Sequence, residues 1–307
     1  MSYAQYGLIQ AAQDYNTLAN GTNKLNSVLA VGTGNVGYGQ TSVANVTSGT
    51  SVTATQWTTM FNAVNKVVAH QTNSTSANIG TVTVGNIITF IANLDSKINT
   101  AYNNASGFGA QGTTTTGSGY TPNFTAPDDT NSAQFDISRV ATFESADKAR
   151  YFFNAGGQLN FVVTSVTNGG STNRGASLAT LAATNFTSLK FGGMNNAGRT
   201  GSNGTVTSSN TSVAYHTLTT SNANAIVLTS TASAYTSDQL WFAGKSNGTQ
   251  GSYNDHGSVV TLSLTLFSAA QSPAFNDSID ITVNHRVDVI YPETTFLANT
   301  WGSVTIS

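Results

Sequence analysis

The sequence predicts an α+β protein, with an N-terminal helical module followed by a C-terminal antiparallel β-sandwich of jelly-roll-like character. Three observations carry this. Apolar residues before about residue 110 recur in threes and fours, those after about residue 130 recur in twos, and a Gly/Thr/Ser tract ending in Pro122 and Pro127 separates the two regimes. The expected organisation is a helical assembly or attachment module over 1–110, a linker over 111–130 and a sandwich domain over 131–307.

Three helices are expected in the first module. The first runs from Leu8 to Ala30 with Tyr15, Leu18, Leu25 and Val28 on one face, and Gly21 interrupts it. The second is cued by Thr53 or Thr55 as N-cap and by Trp57, Met60, Phe61, Val64, Val67 and Val68, the i, i+3, i+4, i+7 pattern of an amphipathic helix. In the third, Val84, Ile87, Ile91, Leu94 and Ile98 form a heptad seam that continues to Ala101, with Asp95 and Lys97 as the charges beside it. Isoleucine at both seam positions shifts a coiled coil from dimers toward higher oligomers. Two readings of the seam stand: a helix packed inside a small helical domain, and an intermolecular bundle, trimeric or hexameric. The glycine-rich stretch from Gly32 to Gly39 follows a helix and is followed by no acid at the expected distance, so it reads as a turn and not as a phosphate loop.

The tract from Ala105 to Pro127, with four consecutive threonines, has nothing apolar to bury and reads as a linker or arm. Beyond Phe135 the period becomes two. Leu159, Phe161 and Val163 alternate with Asn160 and Val162; Val260, Leu262, Leu264 and Leu266 alternate with Val259, Thr261, Ser263 and Thr265; Ile279, Ile281 and Val283 are continued by Val287, Val289 and Tyr291. Turn signals at Asn168-Gly169-Gly170, Asn203-Gly204, Asn247-Gly248 and Asn254-Asp255 punctuate these runs. A short helix is expected between Leu178 and Leu189.

Composition narrows the function classes. Charged residues are 8% of the 307, against a usual fraction of about 25%. With 9% aromatics and four prolines the chain is not of the disordered class, which combines low hydrophobicity with high net charge. A surface so poor in charge has little electrostatic protection from self-association, so much of it is expected to meet partners. The absence of cysteine excludes disulfides, thiolate metal sites and cysteine nucleophiles. The opening residues lack the basic and apolar regions of a signal peptide, and no stretch has the length of a membrane span, so no membrane insertion is expected. Eleven scattered Lys and Arg argue against a nucleic-acid surface.

Two stretches carry a resemblance. Ser2-Tyr-Ala-Gln-Tyr-Gly-Leu-Ile-Gln-Ala11, Val36-Gly-Tyr-Gly-Gln40 and Val52-Thr-Ala-Thr-Gln-Trp57 through Ala69-His70-Gln71 resemble the N-terminal module of structural proteins of tailed bacteriophages, especially those of cyanobacteria and marine bacteria. Ala149-Arg-Tyr-Phe-Phe-Asn-Ala-Gly-Gly157 with Leu159-Asn160-Phe161, and Asp255-His256 before the strand at Val259, are similar to their β domain. The resemblance implies a virion component of the tail, neck or short-fibre apparatus, assembled in the bacterial host cytoplasm, that binds copies of itself and other virion proteins. It brings no catalytic residues with it. A head decoration protein is an alternative position in the particle.

Enzyme chemistry finds little to stand on. His70, His216, His256 and His285 lie far apart without metal-ligand spacing. Asp255-His256, with Asp277 as a further carboxylate, invites a catalytic reading, but polar residues at a turn explain it more simply. Glu144 and Glu293 are the only glutamates for a glycosidase pair, no nucleophile-elbow motif occurs, and Asp128-Asp129 and Asp277 to Asp280 lack an ordered calcium loop. No catalytic residue, metal or cofactor is therefore expected. Trp241, Tyr253 and Trp301 are the candidate platforms of a glycan-binding, receptor-recognition protein, the second functional hypothesis; against it, Trp241 and Phe242 sit together in an apolar strand, as core residues do.

Overall fold

A computed structural model describes residues 11–30, 36–74, 91–193, 198–199, 205–209, 213–232, 234–248, 257–272 and 274–307. The α+β class is as the sequence predicts: helices first, antiparallel sheets after. The chain divides into two compact units. Unit 1 is Met1–Thr113 with Arg150–Gly156 and Pro292–Gly302, and unit 2 is Thr114–Ala149, Gly157–Tyr291 and Ser303–Ser307.

Unit 1 is built on helices α1 (Ala11–Asn20), α2 (Leu25–Leu29), α3 (Ala54–Thr72) and α4 (Ile91–Asn103). The break between α1 and α2 falls at Gly21, as its helix-breaking character predicts. Thr53 caps α3 in a reciprocal box: its Oγ1 accepts from Gln56 N at 3.2 Å, and Gln56 Oε1 accepts from Thr53 N at 2.7 Å. The helix stops where Asn73 turns left-handed at φ 52°. Its apolar stripe, Trp57, Met60, Phe61, Val64 and Val67, is buried, with Tyr15 edge-on to Trp57 at 5.2 Å.

Two asparagines stitch the extended segment after α2 onto the helices. Asn26 exchanges both amide hydrogen bonds with Val43 (2.8 and 2.9 Å), and Asn16 does the same with Val46 (both 2.8 Å). Side-chain amides here do what a neighbouring strand would otherwise do, satisfying backbone groups that burial would leave costly. Gly39, at φ +70°, lets the backbone pass Tyr151; a Cβ there would stand 2.4 Å from the ring. Lys24, almost fully buried, is satisfied by Asp95 and by Asn99 Oδ1 at 2.7 Å, both on α4.

Among the described residues two six-stranded sheets form, in unit 2 but for Gln111–Thr113 and Pro292, their strands being β1 (Gln111–Thr115), β2 (Asn123–Ala126), β3 (Ala133–Phe143), β4 (Gln158–Asn168), β5 (Ser188–Phe191), β6 (Gly198–Arg199), β7 (Thr205–Ser209), β8 (Ala223–Thr229), β9 (Gln239–Ser246), β10 (Val259–Ser268), β11 (Ile279–Pro292) and β12 (Val304–Ile306). The first sheet runs β1-β11-β4-β5-β6, with β2 also on β11; the second runs β12-β3-β10-β9-β8-β7. In the second, β7 to β10 form a meander, while β3, β11 and β12 carry the chain between sheets.

The sheets face each other through alternate positions, as strand geometry requires. Phe161 of β4 meets Phe242 of β9 edge-on at 5.4 Å, and Phe186 stacks on Phe242 at 5.4 Å. Phe186 ends a π-helical turn, Leu181–Phe186, that continues α6 (Asn173–Thr180), and Leu178, Leu181 and Phe186 are wholly buried.

Two expectations are corrected. The 111–130 linker carries β1 and β2, both paired with β11. Strand β1 is nearly all exposed, so backbone hydrogen bonds hold it and no apolar alternation announces it. Secondly, Ala149–Gly157, which the resemblance places at the start of the β domain, is helical as far as Asn154, within α5 (Ala146–Asn154), with Asp147 favourably placed in the first turn of that helix and Phe152 and Phe153 buried.

Candidate functional site

The outward face of the second sheet carries an ordered group of exposed and half-buried side chains. Strand β10 lies between β3 and β9, and the registers align Asp136, Thr265 and Trp241 in one row and Gln134, Phe267 and Gln239 in the next. Strand β8 extends the rows with Val227 beside Trp241 and Thr229 beside Gln239. Their neighbours along the strands, Leu240, Phe242, Leu264 and Leu266, point the other way and are wholly buried. Period two therefore puts the two rows on the outside.

Trp241 and Phe267 are diagonal neighbours and stack, with ring centroids 5.6 Å apart and planes 14° apart. Both are only half-buried. The indole is fixed by its Nε1–H, which donates to Gln239 Oε1 at 2.8 Å. On the far side, Asp136 accepts from Thr265 Oγ1 at 2.6 Å and from Gln134 Nε2 at 3.0 Å. The result is an aromatic plane flanked by two amides and one carboxylate, with no cationic side chain in either row.

A second polar group lies inside unit 2 and is structural in its chemistry. Arg174 is wholly buried; it donates to Ser268 Oγ at 2.9 Å, to Asn131 O at 2.8 Å and to Asp128 O, tying α6 to the loop before β3. Burial pushes the Asp238 carboxyl up to about 6, and the nearby hydroxyls of Ser268 and Ser177 and the charge of Arg174 offset this only in part. Neither of its oxygens reaches good hydrogen-bond geometry among the described residues. The Tyr235 hydroxyl stands 2.9 Å from Asp129 Oδ2 and 2.8 Å from Asp277 Oδ2, and burial and both carboxylates push it up. Burial raises Asp129, but hydrogen bonds from Phe275 N, Tyr235 and Asn276 N outweigh it and hold the carboxyl below its usual range.

The sequence-predicted residues are not brought together. Of the seam, Leu94 and Ile98 are wholly buried within unit 1, where α4 packs on α2 and α3, so these two side chains are closed to a second copy. Val84 and Ile87, and the side chain of Ile91, lie outside the described residues. Trp301 is 1% exposed, so its ring is not presented as a platform. Tyr253, with Asp255 and His256, lies outside the described residues. Trp241 is in the predicted place but faces outward, while Phe242 takes the core position. Phe267, Gln239, Asp136 and Gln134 were not singled out by sequence; alternation alone gives their face, but the register that gathers them is set across three strands.

The remaining candidates are structural. His70 is buried against Tyr38 at 5.2 Å, and burial pushes its imidazole down to about 4, offset only in part by the Ala155 backbone and the charge of Glu293. Glu144 caps the turn at Ser303, accepting from its backbone N at 3.0 Å, and Glu293 accepts from Thr295 N at 2.7 Å. Among the described residues no three His, Cys, Asp or Glu side chains gather as a metal site, and no helix is long and apolar enough to cross a membrane. Comparison with protein families, with characterised proteins and with solved structures finds no match to this chain.

Proposed function

We propose that this protein is a non-enzymatic structural component of a tailed-phage virion, a tail, neck or short-fibre protein that assembles with copies of itself and docks on other virion proteins. The observation that carries the reading is the combination of an 8% charged fraction with strand faces dressed in Thr, Ser, Asn and Val. On the outer face of the second sheet, Thr142, Val140 and Ser138 of β3 lie opposite Val259, Thr261 and Ser263 of β10. Such a face is polar enough to stay hydrated during synthesis and weakly hydrated enough to be covered by a partner without stripping many charges of water. The resemblance of the two sequence stretches to phage structural proteins supplies the setting.

Light scattering of the full-length protein after size exclusion tests self-assembly. The expected result is a trimer or hexamer that persists on dilution, and a monomer at every concentration overturns that part of the reading. Mass spectrometry of purified phage particles tests the setting: the protein is expected at fixed stoichiometry to the other tail proteins, and its absence from particles of the phage that encodes it overturns the virion role.

A further inference from the structure

We propose that the outward face of the second sheet is a binding site for a neutral glycan, centred on Trp241 and Phe267. A pyranose ring presents an apolar C–H face and a rim of hydroxyls. Recognition in water therefore calls for an aromatic plane together with planar hydrogen-bonding groups already held in position. The two rows across β3, β10 and β9 supply both.

The aromatic plane is held before any ligand arrives. Trp241 is fixed by its stack on Phe267 and by the indole Nε1 bond to Gln239, so a sugar meets a set surface and does not have to order a mobile side chain. The bond to Trp241 uses Gln239 Oε1, which directs Nε2 of that amide away as a donor. Gln134 donates its Nε2 to Asp136, leaving Oε1 as an acceptor. Asp136 is exposed, and its carboxylate is oriented by Thr265 and Gln134 while retaining acceptor capacity for a pair of sugar hydroxyls. With strands about 4.8 Å apart, the row from Asp136 to Trp241 spans about 10 Å, the reach of a disaccharide.

Charge chooses the class of sugar. Asp136 is the one ionisable side chain in these two rows, and it is an anion. Within these two rows a uronic or sialic acid would meet repulsion and find no cation, Lys245 standing four residues from Trp241 along β9, whereas neutral hexose and N-acetylhexosamine units lose nothing. The site lies wholly in unit 2, on the rows through Asp136 and Gln134, and leaves the rows through Ser138, Val140 and Thr142 to a partner, so the mass of the protein in solution does not bear on it.

Tryptophan emission provides the test, because Trp57 and Trp301 are buried and Trp241 is the half-exposed one of the three. The full-length protein is titrated with dextran, mannan, galactomannan and soluble chitin oligomers, with polygalacturonate as the anionic comparison, and binding is scored in parallel by affinity gel electrophoresis. At least one neutral glycan is expected to retard the protein and to shield Trp241 from acrylamide, while polygalacturonate does neither. Trp241→Ala should abolish the retardation, and Asp136→Ala and Gln239→Ala should each weaken it about tenfold, with circular dichroism unchanged because all three side chains sit outside the core. If Trp241→Ala does not fold, the other two variants decide the matter. Failure of every neutral glycan, retardation that survives all three substitutions, or preference for polygalacturonate overturns the proposal.

Discussion

The imidazole of His285 lies flat on the phenyl ring of Phe161, with centroids 5.5 Å and planes 8° apart. His285 is in β11 and Phe161 in β4, two residues out of direct register, and a shift in pairing between Asn284 and His285 accompanies the stack. Tyr120 stacks on the other side of the imidazole at 5.9 Å, and the Arg139 guanidinium sits 3.3 Å from the centre of the Tyr120 ring. The column thus runs from a cation at one end, through a phenol and an imidazole, to the phenylalanine cluster between the sheets. It also explains why a histidine is tolerated 1% exposed: as a neutral ring it packs like an aromatic, its Nδ1 bonded to Val283 O at 3.3 Å.

Replacing His285 by Phe tests that account. Burial pushes the imidazole below its ordinary range, and the charge of Arg139 adds to this. A histidine with a depressed folded pKa favours the fold while it is neutral, so its contribution is present above about pH 6.5 and is lost as pH falls through the folded value. His285→Phe keeps the stack and removes Nε2, which has no hydrogen-bond partner among the described residues. It is expected to match the wild type within about 1 kcal/mol at pH 7.5 and to exceed it at pH 5. His70, depressed to about 4, has the same sign and leaves a residual acid sensitivity in the variant. Urea unfolding at both pH values measures the difference; a variant markedly less stable at pH 5 would mean that the imidazole is charged and paired in the fold.

Asp238 carries the opposite sign. Its folded carboxyl is raised to about 6, so the protonated form favours the fold: that contribution is full below the unfolded value near 4 and is lost as pH rises through 6. Asp238→Asn keeps the shape and removes the buried charge. At pH 8 the variant is expected to be more stable than the wild type by about 2 kcal/mol, with the gap closing as pH falls toward 4. Arg174 keeps its bonds to Ser268 and to the carbonyls of Asp128 and Asn131 in the variant, which limits the loss on its side. A variant less stable at pH 8 would show that Asp238 is ionised and serves Arg174 as a counter-ion.

What the sequence revealed follows from where each element keeps its information. Helix α3 was legible because both its cap, Thr53 with Gln56, and its stripe from Trp57 to Val67 are local. Strand β10 was legible because its inward leucines, Leu262, Leu264 and Leu266, alternate without exception. Strands β1 and β2 were not, because a strand held by backbone bonds to β11 needs no apolar face of its own. Helix α5 hid behind the adjacent Phe152 and Phe153, which nine residues are too few to resolve into a period. The candidate site was half legible. Strict alternation sends Trp241 and Phe242 to opposite faces, but it does not say which goes out, and the stack with Phe267 depends on a register between strands that no local pattern records.

The seam in α4 gives the last prediction, because its two roles fail differently. Leu94 and Ile98 are wholly buried where α4 packs on α2 and α3, and the Lys24–Asp95 pair lies beside them at low exposure. An aspartate at position 94 would place a carboxylate among apolar side chains with no partner, which costs several kcal/mol. Leu94→Asp is therefore expected to unfold the helices of unit 1, seen as lost helical signal in circular dichroism, and not to release folded monomers. Leu94→Ala separates the cases. It should lower stability by about 2–5 kcal/mol through the cavity it leaves, while the mass by light scattering stays that of the wild type, since the side chain faces the interior of its own chain. A folded Leu94→Ala protein of reduced mass would instead place this residue at a contact between copies, and the burial of Leu94 within one chain would then not be its state in the assembly.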